Sequence, residues 1–309
     1  MATTATAEPS ARAAGYVGRF APSPTGALHL GSLLAAVGSY LDARHHGGLW
    51  RVRIEDIDPR CIPGSADQIL RTLEAFGLAW DGPLEIQSRR TGHYEAALER
   101  LRAAGVTFEC TCSRSELAAL GALTSRYPGL CRAGPRRDGP SATRLRIDAQ
   151  RIFAFEDRFQ GPFSAPGASL GDVVVRRRDG VFAYQLAVVV DDALQGITDV
   201  VRGADLLEST GWQLALQEAL GLPRPRYGHL PLLTEPGGAK LAKRHHAVPL
   251  DPQRASAELF EVLALLGQSP PAALTGAPPP EVLAWASAHW RPEAFHGRRE
   301  IALAPTTPP

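Results

Sequence analysis

The stretch from Arg19 to Ser32, Arg-Phe-Ala-Pro-Ser-Pro-Thr-Gly-Ala-Leu-His-Leu-Gly-Ser, constrains this chain more than any other. Pro22 and Pro24 lock it as a loop. Tyr16-Val17-Gly18 begins a strand before it. After it, Leu33, Leu34, Val37, Tyr40 and Leu41 recur at helical spacing until Gly47 offers a C-terminal cap. A loop between a strand's carboxyl end and a helix start is where open α/β sheets bind ligands, because backbone N–H groups and the helix dipole favour phosphate oxygens there. Gly26 and Gly31 let the main chain approach a nucleotide closely.

Further along, Leu49 to Asp58 alternates as a second strand whose end carries Glu55, Asp56 and Asp58, acids placed to face the cleft. Ser65-Ala66-Asp67-Gln68 reads as a capping box opening a helix through Phe76, and Thr91 to Ala104 as another helix ended by Gly105. From Cys110 to about Arg178 the pattern shifts to short strands between Gly/Pro turns, including Thr143 to Ile147 and Gly171 to Arg177, as an inserted domain would. The continuous apolar run Leu186 to Val190 then calls for a buried strand or helix. Arg254 to Leu266 and Pro280 to Trp290 read as two amphipathic helices.

At 309 residues and 44% hydrophobic content the chain can bury a sizeable core. A net charge of +1 gives no global field for nucleic acid, so RNA contact would need local patches such as Arg132 with Arg136 and Arg137, Arg144 with Arg146, or Arg176 to Arg178. Singly, each fits a solvated face equally well. Four cysteines do not make a disulfide scaffold, but Cys110, Cys112 and Cys131 cluster in a way that suggests metal. Residues 1–15 have no apolar core and read as a disordered tail rather than an export signal, and no segment reaches transmembrane length. A cytoplasmic monomer is the expectation. The only two lysines, Lys240 and Lys243, fall in Lys-Leu-Ala-Lys-Arg, where compact ammonium groups suit reacting phosphates.

Taken together, these residues carry a resemblance. Pro24 to Ser32 resembles the HIGH region of class I aminoacyl-tRNA synthetases in its glutamyl form, and Arg19 to Gly26 is the more specific half. Ile54 to Asp58, Tyr184 to Asp192 and Val201 to Leu206 match further glutamyl segments. Lys240 to Arg244 resembles the KMSKS loop, with Ala242 where the family usually has serine. The resemblance covers residues 16–250 in order. It implies an α/β, Rossmann-like class I catalytic domain with an inserted acceptor-binding-type zinc subdomain and a short helical C-terminal region. The expected division is 16–107 and 179–228 as the two halves of the nucleotide-binding fold, 108–178 as the insertion, and 229–309 as the KMSKS-like loop and C-terminal helices.

Site residues follow from the same resemblance. His29 and Lys243 would be catalytic; His29, Gly31, Lys240 and Lys243 would bind ATP, supplied with Mg²⁺. Arg19, Phe20, Ala21, Pro22, Ser23, Glu55, Tyr184 and Arg202 would bind L-glutamate, Glu55 receiving its α-ammonium group. One structural zinc would sit on Cys110, Cys112, Cys131 and Tyr127, because the Cys-x-Cys…Tyr-x-x-x-Cys spacing is similar to that of a shortened glutamyl-tRNA synthetase relative. The chain stops after two helices, where a complete glutamyl enzyme would continue into an anticodon-binding region. The implied activity is that of the shortened form: glutamyl-adenylate is made and the glutamyl group passes to queuosine in the anticodon of tRNA(Asp). Three rivals stay open: a glutamyl-tRNA synthetase subunit charging a tRNA 3′ end, a small-molecule nucleotidyltransferase, and a noncatalytic RNA-binding paralogue.

Overall fold

The computed structural model describes residues 15–121, 126–235 and 248–303. Strand β1 (Val17–Phe20) enters the opening loop and helix α1 (Leu30–His45) leaves it, as the apolar spacing predicts. Next come β2 (Leu49–Ile54), α2 (Ser65–Ala75), the two-residue β3 (Glu85–Ile86) and α3 (Thr91–Ala103). The chain continues through β4 (Thr107–Cys110), α4 (Arg114–Ala119), β5 (Ala142–Leu145), a hairpin of β6 (Ile152–Asp157) and β7 (Gly161–Pro166), the single turn α5 (Gly167–Leu170) and β8 (Val173–Arg176). Then follow α6 (Tyr184–Leu194), β9 (Asp199–Gly203), α7 (Thr210–Leu220), β10 (Arg226–Leu230) and β11 (Leu232–Thr234). Helices α8 (Ala255–Leu265) and α9 (Pro279–Ala288) precede β12 (Glu300–Ala302), which pairs with β11.

Two ladders meet at β1. On one side β2 pairs in parallel with it, and β3 in parallel with β2. On the other, Thr198 just ahead of β9 donates its N–H to the Val17 carbonyl (3.0 Å), and its hydroxyl accepts from the Val17 N–H (2.8 Å). That brings β9 beside β1, and the ladder β9-β10-β6-β7 runs on outward. The chain therefore leaves β1 one way and β9 the other, which makes the gap beyond their carboxyl ends a topological switch point, the place where open α/β sheets take ligands. The insertion contributes its own antiparallel sheet, β4-β5-β8. Within the same stretch, however, the β6–β7 hairpin joins the sheet of β9 and β10.

Apolar burial follows from a sheet covered on both faces. Residues of α1, α2, α8 and α9 form one core with β1 and β2, and those of α3, α6 and α7 form another with β5 and β8. The apolar run at 186–190 is thus helix, its valines buried within α6. Contact between α1 and β10 is so close that a Cβ on Gly38 would lie 2.6 Å from a Leu230 methyl. Asp42, wholly buried on α1, accepts from Tyr16, from both Arg158 Nη atoms and from Trp290 Nε1, tying the helix to the β6–β7 turn and to the C-terminal segment. Among the described residues, no helix is long and apolar enough to cross a membrane.

One local expectation fails. Ser65 does not cap α2, whose N-cap is Gly64 at φ +78°. The serine hydroxyl instead donates to the Gly26 carbonyl (2.8 Å) and accepts from the Gly26 N–H (3.1 Å), bracing the opening loop. A long-range partner has outcompeted the local one.

Candidate active site at the strand switch point

The opening loop ends in a cap that fixes a histidine. His29 is the N-cap of α1; its Nδ1 accepts from the N–H groups of Gly31 (3.1 Å) and Ser32 (3.4 Å), while the Ser32 hydroxyl accepts from the His29 N–H (2.7 Å). Because Nδ1 is an acceptor, the neutral ring carries its proton on Nε2. The helix start thus presents an N–H donor of chosen identity beside its own positive dipole end. Gly31 contributes through that cap, its N–H already engaged. Phe20 is buried against Trp50, while Ala21, Pro22 and Ser23 are half-buried; Pro22 accepts the Glu55 N–H (3.0 Å), pinning the acid-bearing end of β2 to the loop.

Behind the loop lies a buried ion network. Arg53, with no exposed surface, donates to Glu55 Oε1 (3.1 and 3.3 Å), to Asp192 Oδ1 (2.8 Å) and to Gln195 (2.8 Å). Arg19 reaches the same Asp192 oxygen (3.2 Å). Burial raises the Glu55 carboxyl, opposed by the Arg53 and Arg19 cations. For Asp192 the cations win over burial, and its carboxyl is lowered. Asp191 holds the outer edge through Gln87, Arg90 and Tyr94. Arg19 is therefore not a bare cation: Asp192 fixes it in place.

Arg202 comes from the neighbouring strand, β9. It is 5% exposed; Nη2 donates to the Thr210 hydroxyl (2.9 Å) and Nε to His229 (3.1 Å). Its Nη1 is buried and has no partner among the described residues. An unmet charged donor costs several kcal/mol in a dry site, so it marks a place where an acceptor belongs. Tyr184, the first residue of α6, lies between the two strands' cations. Burial raises its phenol, with Arg202, Glu55, Arg19 and Asp192 all within electrostatic reach. The structure thus gathers Arg19, Glu55, Tyr184 and Arg202, residues that the sequence scatters across most of the chain.

The cysteines also assemble. The Cys110, Cys112 and Cys131 sulfurs lie within 4.8 Å of one another, Cys112 and Cys131 being 3.6 Å apart. Tyr127 Oη stands 3.3 Å from the Cys110 sulfur and 3.6 Å from that of Cys112. Around a tetrahedral zinc with bonds of about 2.3 Å to sulfur and 2.0 Å to oxygen, neighbouring ligand atoms are ~3.8 and ~3.5 Å apart. The four donors fit that spacing. The Cys131 N–H donates to Tyr127 Oη (2.9 Å) and Arg144 stacks 3.9 Å over the phenol ring, whereas burial and the three cysteines raise the phenol far above its usual range. Arg137 and Arg178 hold the Thr111 carbonyl between the first two cysteines.

Beside this cluster opens a cavity of about 810 Å³, lined by Arg114, Arg144, Arg177, Arg178 and the Trp212 indole, with Asp172 and Asp179 among them. None of the switch-point residues lines it. Arg177 nevertheless lies within electrostatic reach of Asp58, in the loop that follows Glu55. Of the suspected basic patches, Arg132 instead serves the fold, gripping Asp172 with two donors (2.7 and 2.6 Å).

The family model described as tRNA synthetases class I (E and Q), catalytic domain, matches residues 16–273. The chain belongs to that family. It is similar to the glutamyl-Q tRNA(Asp) synthetase of Ectopseudomonas mendocina, at 53% identity over 94% of this chain and 98% of the relative. The protein of that name from Aromatoleum aromaticum is 55% identical over 89% of each chain. A solved glutamate tRNA ligase from Elizabethkingia meningosepticum, in complex with its amino acid, shares the fold with a TM-score of 0.78 at 28% identity, covering 94% of this chain and 67% of the ligase. The expected fold class therefore holds: this is the α/β catalytic domain of a class I synthetase, an ATP-using ligase.

In this synthetase domain the KMSKS-like stretch, with Lys240 and Lys243, lies outside the described residues. Arg53, Asp192, His229 and Asp157 were missed from the sequence. Arg53 and Asp192 had a faint signal, an arginine inside an apolar strand and an acidic pair closing an apolar helix. His229 had none, and Asp157 lay in the stretch read as the insertion.

Proposed function

We propose that this synthetase domain activates L-glutamate with ATP and transfers the glutamyl group to queuosine in the anticodon of tRNA(Asp). The observation that carries the amino-acid half is the buried Arg202 Nη1, left without an acceptor beside Tyr184, Arg19 and the Glu55 carboxylate. Glutamate fits that polarity: its side-chain carboxylate meets Arg202 Nη1, and its α-ammonium meets Glu55 Oε2, the oxygen Arg53 does not hold. Glutamine would leave the arginine with a neutral amide, which compensates a desolvated cation poorly. Phe20, Ala21, Pro22 and Ser23 would wall the backbone end of the substrate.

The α-carboxylate then attacks the α-phosphorus of ATP and pyrophosphate leaves; Mg²⁺ supplied with ATP would offset the phosphate charge. His29 Nε2–H donates to the charge developing on the phosphates, with Lys240 and Lys243 as further cations. In the second step a hydroxyl of queuosine attacks the glutamyl carbonyl and AMP departs. The queuosine half is supported by relatives named glutamyl-Q tRNA(Asp) synthetase that match nearly their whole length at about half identity. The arginine-lined cavity with its Trp212 wall suits a phosphate and a splayed base, as an anticodon loop offers. Within residues 108–178 we assign the β4-β5-β8 sheet and its cysteine cluster to the acceptor side; 16–107 with 179–228, together with the β6–β7 hairpin that joins their sheet, serve activation. The test is labelled-glutamate transfer to three RNAs: tRNA(Asp) with queuosine, the same tRNA without it, and tRNA(Glu). Only the first is expected to be charged; robust charging of tRNA(Glu) would make this an ordinary glutamyl-tRNA synthetase.

The cysteine–tyrosine cluster fits one structural zinc per chain, whose role is to hold the knuckle of β4 and the following turn in shape. Elemental analysis of protein purified without a histidine tag is expected to give about one zinc per chain. Cys131→Ser should abolish that zinc and weaken RNA charging more than pyrophosphate exchange, because the cluster packs in its own small core away from the switch point. Metal-free protein of full charging activity would refute the assignment.

A further inference from the structure

Arg202 is backed by two buried residues that neither step of the proposed reaction uses. His229 on β10 is its register partner across the β9–β10 ladder and has no exposed surface. The Arg202 Nε–H donates to His229 Nε2. A guanidinium can only donate, so Nε2 carries the lone pair and the ring proton sits on Nδ1, where it is given to Asp157 Oδ2. Asp157 Oδ1 in turn accepts three backbone N–H groups, those of Phe159 (3.0 Å), Gln160 (2.9 Å) and His229 (3.0 Å). The main chain thus fixes the carboxylate, the carboxylate fixes the imidazole tautomer, and the imidazole fixes the guanidinium. With Nη2 taken by Thr210, Nη1 alone is left to aim.

We propose that Asp157 and His229 are positioning residues for amino-acid selection, holding the Arg202 fork so that Nη1 meets the side-chain carboxylate of the substrate. The inference rests on the pocket reading above, in which Arg202 touches that carboxylate. Two features of the surroundings agree with it. Burial, with the Arg202 cation alongside, pushes His229 down to about 4 against the pull of Asp157, so the ring stays a neutral acceptor at neutral pH. The Tyr227 ring lies parallel to the imidazole and under the guanidinium, 5.4 Å from its carbon, and leaves the fork little room to swing. A fork misdirected by about an ångström loses much of a carboxylate contact, because bidentate and charge-assisted bonds depend steeply on direction.

The decisive variant is Asp157→Asn, which preserves shape and inverts one proton. The amide oxygen can still accept the three backbone donors, but the amide nitrogen now donates to Nδ1. The ring proton must move to Nε2, where it confronts the Arg202 Nε–H, donor against donor. In glutamate-dependent pyrophosphate exchange the glutamate KM is expected to rise roughly 10- to 100-fold, with kcat changed less than about threefold and the KM for ATP unaltered. Selectivity against glutamine should fall in parallel. His229→Phe should show the same split, and His229→Gln, which can return an acceptor near the Nε2 position, should recover most of the loss. A purely structural role would lower the melting temperature without moving glutamate KM apart from ATP KM.

An unchanged glutamate KM in folded Asp157→Asn, while Arg202→Gln raises it, overturns this inference and leaves the pocket reading standing. An unchanged glutamate KM in Arg202→Gln overturns both. If Asp157→Asn does not fold, equal glutamate KM values for His229→Gln and His229→Phe overturn the inference by themselves.

Discussion

Arg202→Gln is expected to lower kcat/KM for glutamate activation by roughly a hundred- to a thousandfold, or about 3 to 4 kcal/mol of transition-state stabilisation. The size follows from burial. Arg202 is nearly inaccessible, and its Nη1 has no partner until a ligand supplies one. Removing the cation would leave the substrate carboxylate desolvated opposite a neutral amide, a far larger loss than any surface ion pair would show. Glutamine has no charge at that end and should lose much less, so preference for glutamate over glutamine should collapse with the activity. Pyrophosphate exchange with each amino acid measures both quantities. Strong preference for glutamate surviving in Arg202→Gln would remove this arginine from the pocket.

The largest effect on stability is expected from Arg53→Met. Arg53 is fully buried and shared by Glu55 and Asp192, with Asp191 at 3.8 Å. Its deletion leaves Arg19 to hold Asp192 and Arg90 to hold Asp191, while Glu55 loses its two bonds from Arg53. Breaking such a network from one side costs about 3 to 5 kcal/mol, since the abandoned carboxylates stay buried. Urea unfolding at pH 8 is expected to show that deficit. The pH dependence has a definite sign. Without Arg53 the buried Glu55 carboxyl, already raised, titrates at still higher pH than in the unfolded chain, so the folded variant takes up a proton first and the deficit shrinks as pH falls toward 5. A deficit that is flat or grows on acidification would show that the lost contacts were packing rather than charge.

What the sequence made legible was local. The loop from Arg19 to Ser32 announces itself because strand, prolines, glycines, histidine and helix follow one another directly, and the structure keeps that order. The cysteines were legible for a related reason: thiolates two residues apart, with a third nearby, have few other uses. Ser65 misled because its local role, a helix cap, is the commoner one, yet the Gly26 backbone claims its hydroxyl from across the loop. His229 carried no signal at all, and Asp157 lay in the stretch read as the insertion rather than as part of the pocket. They meet because β6 and β10 are neighbours in the sheet, and strand order is not written in any window of sequence.

The junction of β1 and β9 has a further consequence for how the domain comes into being. The opening loop draws most of its supports from nearby in the chain, its own strand and helix with β2 and Ser65, and such loops close cheaply. The amino-acid pocket is different, because Arg19 and Arg202 become neighbours only after the whole insertion has been bridged and Thr198 has found Val17. Contacts of such long range are paid for in chain entropy before they return anything, and they form late. On the proposed assignment, a partly folded chain would own a phosphate site and yet have no means of telling one amino acid from another. Selectivity would then arrive with the last strands, and a ligand that spans the junction would bind only the finished fold and stabilise it by mass action.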